Sequence, residues 1–160
     1  MVSAANPESD SQSGFSLIEL MVALAITAIL ASIAAPSFRT VIANTRIQAV
    51  ASDLQAGMLL ARSEAVKRNA PVRLVATDDK WVNGWSVQDA DGTVLLAGQV
   101  HENVSIKGNA ATWTFLASGR VNGVSVPKFQ LVDELEIGDV RCLTADRGGR
   151  AYVVKQACES

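Results

Sequence analysis

Between Phe15 and Ala35 the chain is apolar at nearly every position, and the single charge in that run is Glu19. The run is 21 residues long. As a helix it reaches about 32 Å, enough to cross a hydrocarbon core of about 30 Å. After Pro36 the pattern becomes periodic. Ala43, Ile47, Val50, Leu54, Met58, Ala61 and Ala65 recur every three or four positions, while Arg46, Asp53, Arg62, Glu64 and Lys67 fall mostly elsewhere. That spacing predicts an amphipathic helix over residues 37–70 whose apolar stripe covers a sheet. The alanines and Gly57 favour close packing, on the domain's own sheet or on a neighbouring subunit. Asn69 and Pro71 end the helix, because proline lacks a backbone donor and disfavours helical geometry in the residue before it.

From Val72 onward the period shortens to that of strands. Val72–Ala76, Gly84–Gln88, Thr93–Leu96, Val104–Ile106, Thr112–Leu116, Phe129–Val132 and Val140–Thr144 are short and rich in β-formers. Asn83-Gly84, Asp91-Gly92, Lys107-Gly108, Ser118-Gly119 and Asn122-Gly123 read as the turns between them. A long helix followed by antiparallel strands, over residues 71–160, predicts an α+β fold. Trp81, Trp85 and Trp113 supply large apolar area to its core.

Charge and composition narrow the function. The chain carries 16 acidic residues and 14 Lys and Arg. Without Glu8 and Asp10 the two signs balance, which gives no global attraction to nucleic acid. No nucleophile motif or glycine-rich phosphate loop is present. His101, beside Glu102 in a polar stretch, reads as an exposed loop residue, so neither an enzyme nor a zinc site is expected. Asp89, Asp91 and Gly92 lack the spaced oxygen ligands and terminal glutamate of a calcium loop. No cofactor and no small-molecule substrate is called for.

Glu19 needs a physical account. A charge at the centre of a spanning helix costs roughly 2.5–3.5 kcal/mol on insertion scales, and less near an interface. One reading places Glu19 at headgroup level. The other notes that cutting after Gly14 creates an α-amine on Phe15, with which a neighbouring subunit's Glu19 can pair in lipid.

Gly14-Phe15-Ser16-Leu17-Ile18-Glu19-Leu20-Met21 with its apolar run resembles the class III signal of type IV prepilins and type II secretion pseudopilins. The resemblance implies that residues 1–14 are a leader, that a prepilin peptidase cuts between Gly14 and Phe15 and methylates Phe15, and that Glu19 acts in assembly. It also implies that residues 15–36 span the inner membrane, with Pro36 kinking the helix. The leader departs from the family pattern: it has no Lys or Arg, and Arg39 and Arg46 beyond the span favour the opposite orientation. A cytoplasmic N-terminus is expected because the peptidase works there. Leu60 to Val66, the turn from Trp81 to Trp85, and Thr114 to Arg120 further resemble the GspH/FimT family of minor pilins and pseudopilins. This implies a structural subunit that helps initiate a pilus near its tip, with other minor and major pilins or pseudopilins as partners. Its localisation would be a single-pass inner-membrane protein with a periplasmic domain, incorporated into an extracellular pilus or a periplasmic pseudopilus.

Cys142 and Cys158 are the only cysteines. A periplasmic domain permits a disulfide between them, with two free thiols as the alternative. Gly148-Gly149 lies between two strand-like runs. A hairpin that sets the two cysteines opposite one another has its loop centred near Arg150, while a tight Gly148-Gly149 turn would misalign them or require a bulge. Closing the loop contributes about 3 kcal/mol. Arg141, Arg147, Arg150 and Lys155, opposed by Asp146 and Glu159, leave this end with a local positive excess. Some FimT-like pilins carry a DNA-capturing Gly-Arg-x-Arg motif near this end. Here Gly149-Arg150-Ala151-Tyr152 matches its first half, and Tyr152 replaces the second arginine. Two readings stand: a DNA-binding patch, with Tyr152 stacking on a base, or an ordinary solvated hairpin with Tyr152 in packing.

Overall fold

The computed structural model describes residues 15–159. The chain divides into two compact units, one ending at Ser37 and one covering Phe38–Ser160. Helix α1, Leu17–Arg68, contributes to both, and Pro36 lies inside it. Having no N–H, Pro36 cannot donate to the carbonyl of Ser32, four residues earlier.

In the first unit the side chains of α1 have no protein around them. Its long apolar stretch could cross a bilayer by length and composition, and none of that stretch is buried. A core helix of this length would be covered by its own domain. Leu17, Ile18, Leu24, Ile29 and Ile33 are all exposed.

In the second unit α1 buries one face. All seven residues of the apolar stripe, from Ala43 to Ala65, are buried, together with Ala51 and Gly57. The helix ends in a Schellman motif: Asn69 takes a left-handed φ of 51°, its N–H donates to Val66, and the Ala70 N–H donates to Ala65. Asparagine tolerates this conformation, and the two bonds satisfy carbonyls of the last turn.

Eight strands follow: β1 Val72–Ala76, β2 Trp85–Gln88, β3 Val94–Gly98, β4 Val104–Gly108, β5 Thr112–Phe115, β6 Lys128–Asp133, β7 Arg141–Ala145 and β8 Ala151–Val154. They form two four-stranded antiparallel sheets, ordered β3-β2-β1-β5 and β4-β6-β7-β8. Burial alternates along β1, β2 and β6, as expected for strands with one face on a core. One core cluster joins Ile47, Leu54 and Met58 of α1 to Leu74 and Trp85 of the first sheet and Phe129, Leu131 and Leu143 of the second. Every buried core residue lies between Ala43 and Ala145. The second unit therefore contains its whole hydrophobic core.

Two expectations are corrected. Lys107-Gly108 is not a turn: both residues belong to β4, and Gly108 pairs with Phe129. A Cβ on Gly108 would collide with the indole of Trp81, whose Nε1 donates to the Ala110 carbonyl at 2.7 Å. The glycine serves close packing here. The last hairpin also has a different centre. Cys142 pairs with Val154 and Ala145 with Ala151, which centres the loop on Gly148 and not on Arg150. Asp146 and Arg150 close it, Gly149 N–H donates to the Asp146 carbonyl, and Gly149 has φ 78°. This is a type I turn followed by a left-handed residue, the commonest three-residue hairpin loop.

The disulfide joins Cys142 to Cys158 with 5.0 Å between Cα atoms. Cys158 is not a cross-strand partner. It sits four residues past Val154, on a tail that bends at Lys155 and Gln156 and returns to the outer face of β7.

Candidate functional site

The first site is the start of α1. Ser16 caps the helix: its carbonyl accepts the Leu20 N–H at 3.2 Å and its Oγ accepts the Glu19 N–H at 3.3 Å. Glu19 thus occupies the third helical position, in the Ser-x-x-Glu pattern of a capping box, where a carboxylate also complements the helix dipole. Sequence reasoning concerned with lipid missed this local role, although the spacing of Ser16 and Glu19 carries it. Among the described residues the Glu19 carboxylate has no ion-pair partner. Phe15 is exposed. Gly14, the other half of the expected cleavage site, lies outside the described residues.

The second site is the β7–β8 hairpin. Arg150 Nε donates to Asp146 Oδ2 at 2.8 Å, and the Arg150 N–H donates to Asp146 Oδ1 at 2.9 Å. These bonds, the backbone one foremost, hold the Asp146 carboxyl below its ordinary range. Much of the Arg150 charge is thereby answered within the turn. Arg147 is exposed at the same end. Arg141 begins β7 at the other end, about 13 Å away along the strand, and Lys155 follows β8 there. The Arg141 Nε is buried without a hydrogen-bond partner. The four basic residues are thus divided between the two ends of the hairpin. Tyr152 is half-exposed on the outer face, paired with Thr144.

Two other arginines adjoin the turn. A Cβ on Gly149 would collide with the Gly119 carbonyl and lie 3.2 Å from Arg62 Cδ; one on Gly119 would lie 3.2 Å from Arg62 Nε. Arg62 of α1 and Arg120, next to Gly119, therefore stand beside Arg147 and Arg150. Arg62 and Arg150 are 88 positions apart in the chain, so no local pattern announces this meeting. Among the described residues no group of three or more His, Cys, Asp or Glu is placed to hold a metal.

Residues 50–155 match the family described as type II transport protein GspH. The chain belongs to the GspH family. The match takes in most of the domain half of α1, both sheets and the last hairpin. Residues 9–35 match the prokaryotic N-terminal methylation motif, which covers Gly14, Phe15, Glu19 and the apolar run. Among relatives, the type IV major pilin protein PilE1 of Neisseria gonorrhoeae is 30% identical over 131 residues, covering 81% of this chain and 73% of that protein. A fimbrial protein of Neisseria meningitidis is 25% identical over 130 residues, covering 81% and 71%. The fold of this GspH-family chain is similar to that of the type IV minor pilin FimU of Pseudomonas aeruginosa in two crystal forms. The first gives a TM-score of 0.59 at 22% identity, covering 72% of this chain and 95% of FimU; the second gives 0.56 at 24%, covering 71% and 98%.

Proposed function

We propose that this GspH-family protein is a minor type IV pilin, anchored in the inner membrane and incorporated into a pilus through its N-terminal helix. The observation that carries the reading is an apolar stretch of α1 that no part of the described protein covers, bearing one carboxylate in its first turn. Stored in the membrane, that stretch is solvated by lipid. In a fibre it is solvated by the same stretch of neighbouring subunits. A peptidase cut after Gly14 places an ammonium on Phe15, directly ahead of the Ser16 cap. A positive charge at a helix N-terminus is unfavourable unless it is paired, and Glu19 of the adjacent subunit supplies the partner. The charge pair then sets the register of one helix against the next, as single buried polar positions do in coiled coils.

The same anchor and fold serve a pseudopilin of type II secretion, and the name of the matched family favours that second reading. Neighbouring genes separate the two: other minor pilins and an adhesin accompany the first, secretion components the second. DNA capture is a weaker reading, since the hairpin divides its basic residues between two ends.

The test is incorporation of the full chain into fibres. Glu19→Ala should abolish incorporation while leaving the domain folded, and normal assembly by that variant overturns the pairing role. Gly14→Ala, which adds a Cβ at the cut site, should accumulate uncleaved precursor, and a normal mature product overturns the peptidase reading.

A further inference from the structure

Three dipeptides in the chain set an amide or acid side chain immediately before a glycine: Asn83-Gly84, Asp91-Gly92 and Asn122-Gly123. In such a pair the glycine nitrogen can attack the side-chain carbonyl carbon of the residue before it, because no Cβ on the glycine crowds the approach. The attack needs a free nitrogen and a backbone that can turn. The first two pairs are closed. The Gly84 N–H donates to the Trp81 carbonyl at 3.1 Å, Gly84 is buried, and a Cβ there would collide with the Gly98 carbonyl. The Gly92 N–H donates to the Asp89 carbonyl at 3.1 Å, and the Asp89 carboxylate accepts the N–H of Asp91 and of Thr93 on either side. Each nitrogen is committed to a turn.

Asn122-Gly123 is open. Up to Asn122 the chain is held: the Leu116 N–H donates to the Arg120 carbonyl at 2.9 Å and the Asn122 N–H to the Thr114 carbonyl at 2.8 Å, on either side of the Phe115–Val121 bridge. Beyond it, the Gly123 N–H has no acceptor among the described residues. Asn122, Gly123, Val124 and Ser125 are all exposed, Val124 by 85%, and a Cβ on Gly123 would meet nothing within 4 Å. The next anchored group is the Val126 carbonyl, which accepts from Asn109 Nδ2 at 3.0 Å. The residues between are free to turn the Gly123 nitrogen onto the Asn122 side chain.

We propose that Asn122 is a site of spontaneous deamidation, with water as the only co-reactant. The Gly123 nitrogen bonds to Asn122 Cγ, and the side-chain amide nitrogen leaves as ammonia, taking the proton that the Gly123 N–H gives up. A succinimide ring remains, and water opens it at either carbonyl. Opening at Cγ gives an aspartyl residue at position 122. Opening at the main-chain carbonyl gives an isoaspartyl linkage, in which the backbone runs through the former side chain. Either product carries a carboxylate where a neutral amide stood. Val121 is buried, so Arg120 and Asn122 share the opposite, exposed face of this extended segment, with Cα atoms about 7 Å apart. The new charge appears beside Arg120, and an older chain is less basic at this end of the domain than a new one.

The full chain is incubated at mildly alkaline pH, folded and in parallel in urea, then digested with trypsin. Cleavage after Arg120 and Lys128 releases Asn122 in one peptide, and cleavage after Lys80 and Lys107 releases Asn83 in another. In the folded chain the peptide of residues 121–128 should gain the mass difference between an acid and an amide and split into two chromatographic forms, one of them methylated by an isoaspartyl methyltransferase. Asn122 should convert roughly tenfold faster than Asn83, whose Gly84 nitrogen reacts only after local opening. In urea, where both nitrogens are free, the two rates should agree within about twofold. Asn122→Gln should keep its amide over the same interval, and Gly123→Ala should slow conversion roughly tenfold through the crowding of its Cβ. An intact Asn122 amide in the folded chain, equal folded-state rates at Asn83 and Asn122, an acid product with no isoaspartyl form, or a Gly123→Ala chain that converts as fast as the wild type overturns the proposal.

Discussion

Trp85 of β2 lies over Gly98, its cross-strand partner in β3, and a Cβ on that glycine would collide with the indole ring. On the helix side, a Cβ on Gly57 would lie 3.1 Å from the same ring's Nε1. The indole is held between two glycines, one on α1 and one on the sheet. Gly98→Ala should therefore destabilise the Phe38–Ser160 fragment by about 1–3 kcal/mol through overpacking. Gly57→Ala should cost less, because alanine gains about 1 kcal/mol of helix propensity there. Urea denaturation of the two variants gives the order, and an unchanged Gly98→Ala midpoint contradicts the placement of Trp85.

The disulfide fastens a tail to a strand. Cys142→Ala with Cys158→Ala removes a covalent loop across a sequence separation of 16 and should cost about 3 kcal/mol. The tail from Lys155 onward should become the first site of proteolysis, since it has no strand partner. Equal stability and equal protease resistance with and without reductant would count against this account.

Acid should loosen the hairpin turn. The folded-state pKa of Asp146 is lowered from 3.8, chiefly by the Arg150 backbone N–H and then by its side chain. A lowered carboxyl pKa contributes stability that is present above the unfolded value and is lost as pH falls through the folded value. Protection of the Arg150 amide, its exchange relative to the unstructured rate at the same pH, should fall below about pH 3.8 in the wild type. In Asp146→Asn the protection should be lower at neutral pH and should change little on acidification.

Nucleic-acid binding should be weak. Arg141 and Lys155 lie at the far end of the hairpin and Arg150 is held by Asp146, which leaves Arg62, Arg120 and Arg147 as the cations near the last turn. The fragment's affinity for duplex DNA should fall with salt at a slope of about three contacts or fewer. A steep slope, abolished by Arg147→Gln and Arg150→Gln, would instead favour DNA capture.

The amphipathic half of α1 was legible because a period of three to four residues reports directly which side chains share a face. The Asn69 and Pro71 stop was legible for an equally local reason, the conformational limits of those two residues. Gly108 misled because a glycine marks either a turn or a close approach. Only the position of Trp81, distant in sequence, distinguishes the two. The hairpin centre is not legible from the cysteines, because a tail that doubles back makes the same bond without placing them opposite one another across the strands.

By itself the sequence determined an apolar span with one carboxylate five positions from Gly14, a helical stripe, a strand-rich remainder and a single possible cysteine pair. These follow from local pattern and from counting. Tertiary structure alone decided that the strands divide into two sheets, that Trp81 and Trp85 rest on glycines, that Arg62 and Arg120 stand beside the last turn, and that the hairpin centres on Gly148. Strand register and loop proximity are set by packing between segments far apart in the chain, and the pattern within any one segment does not contain them.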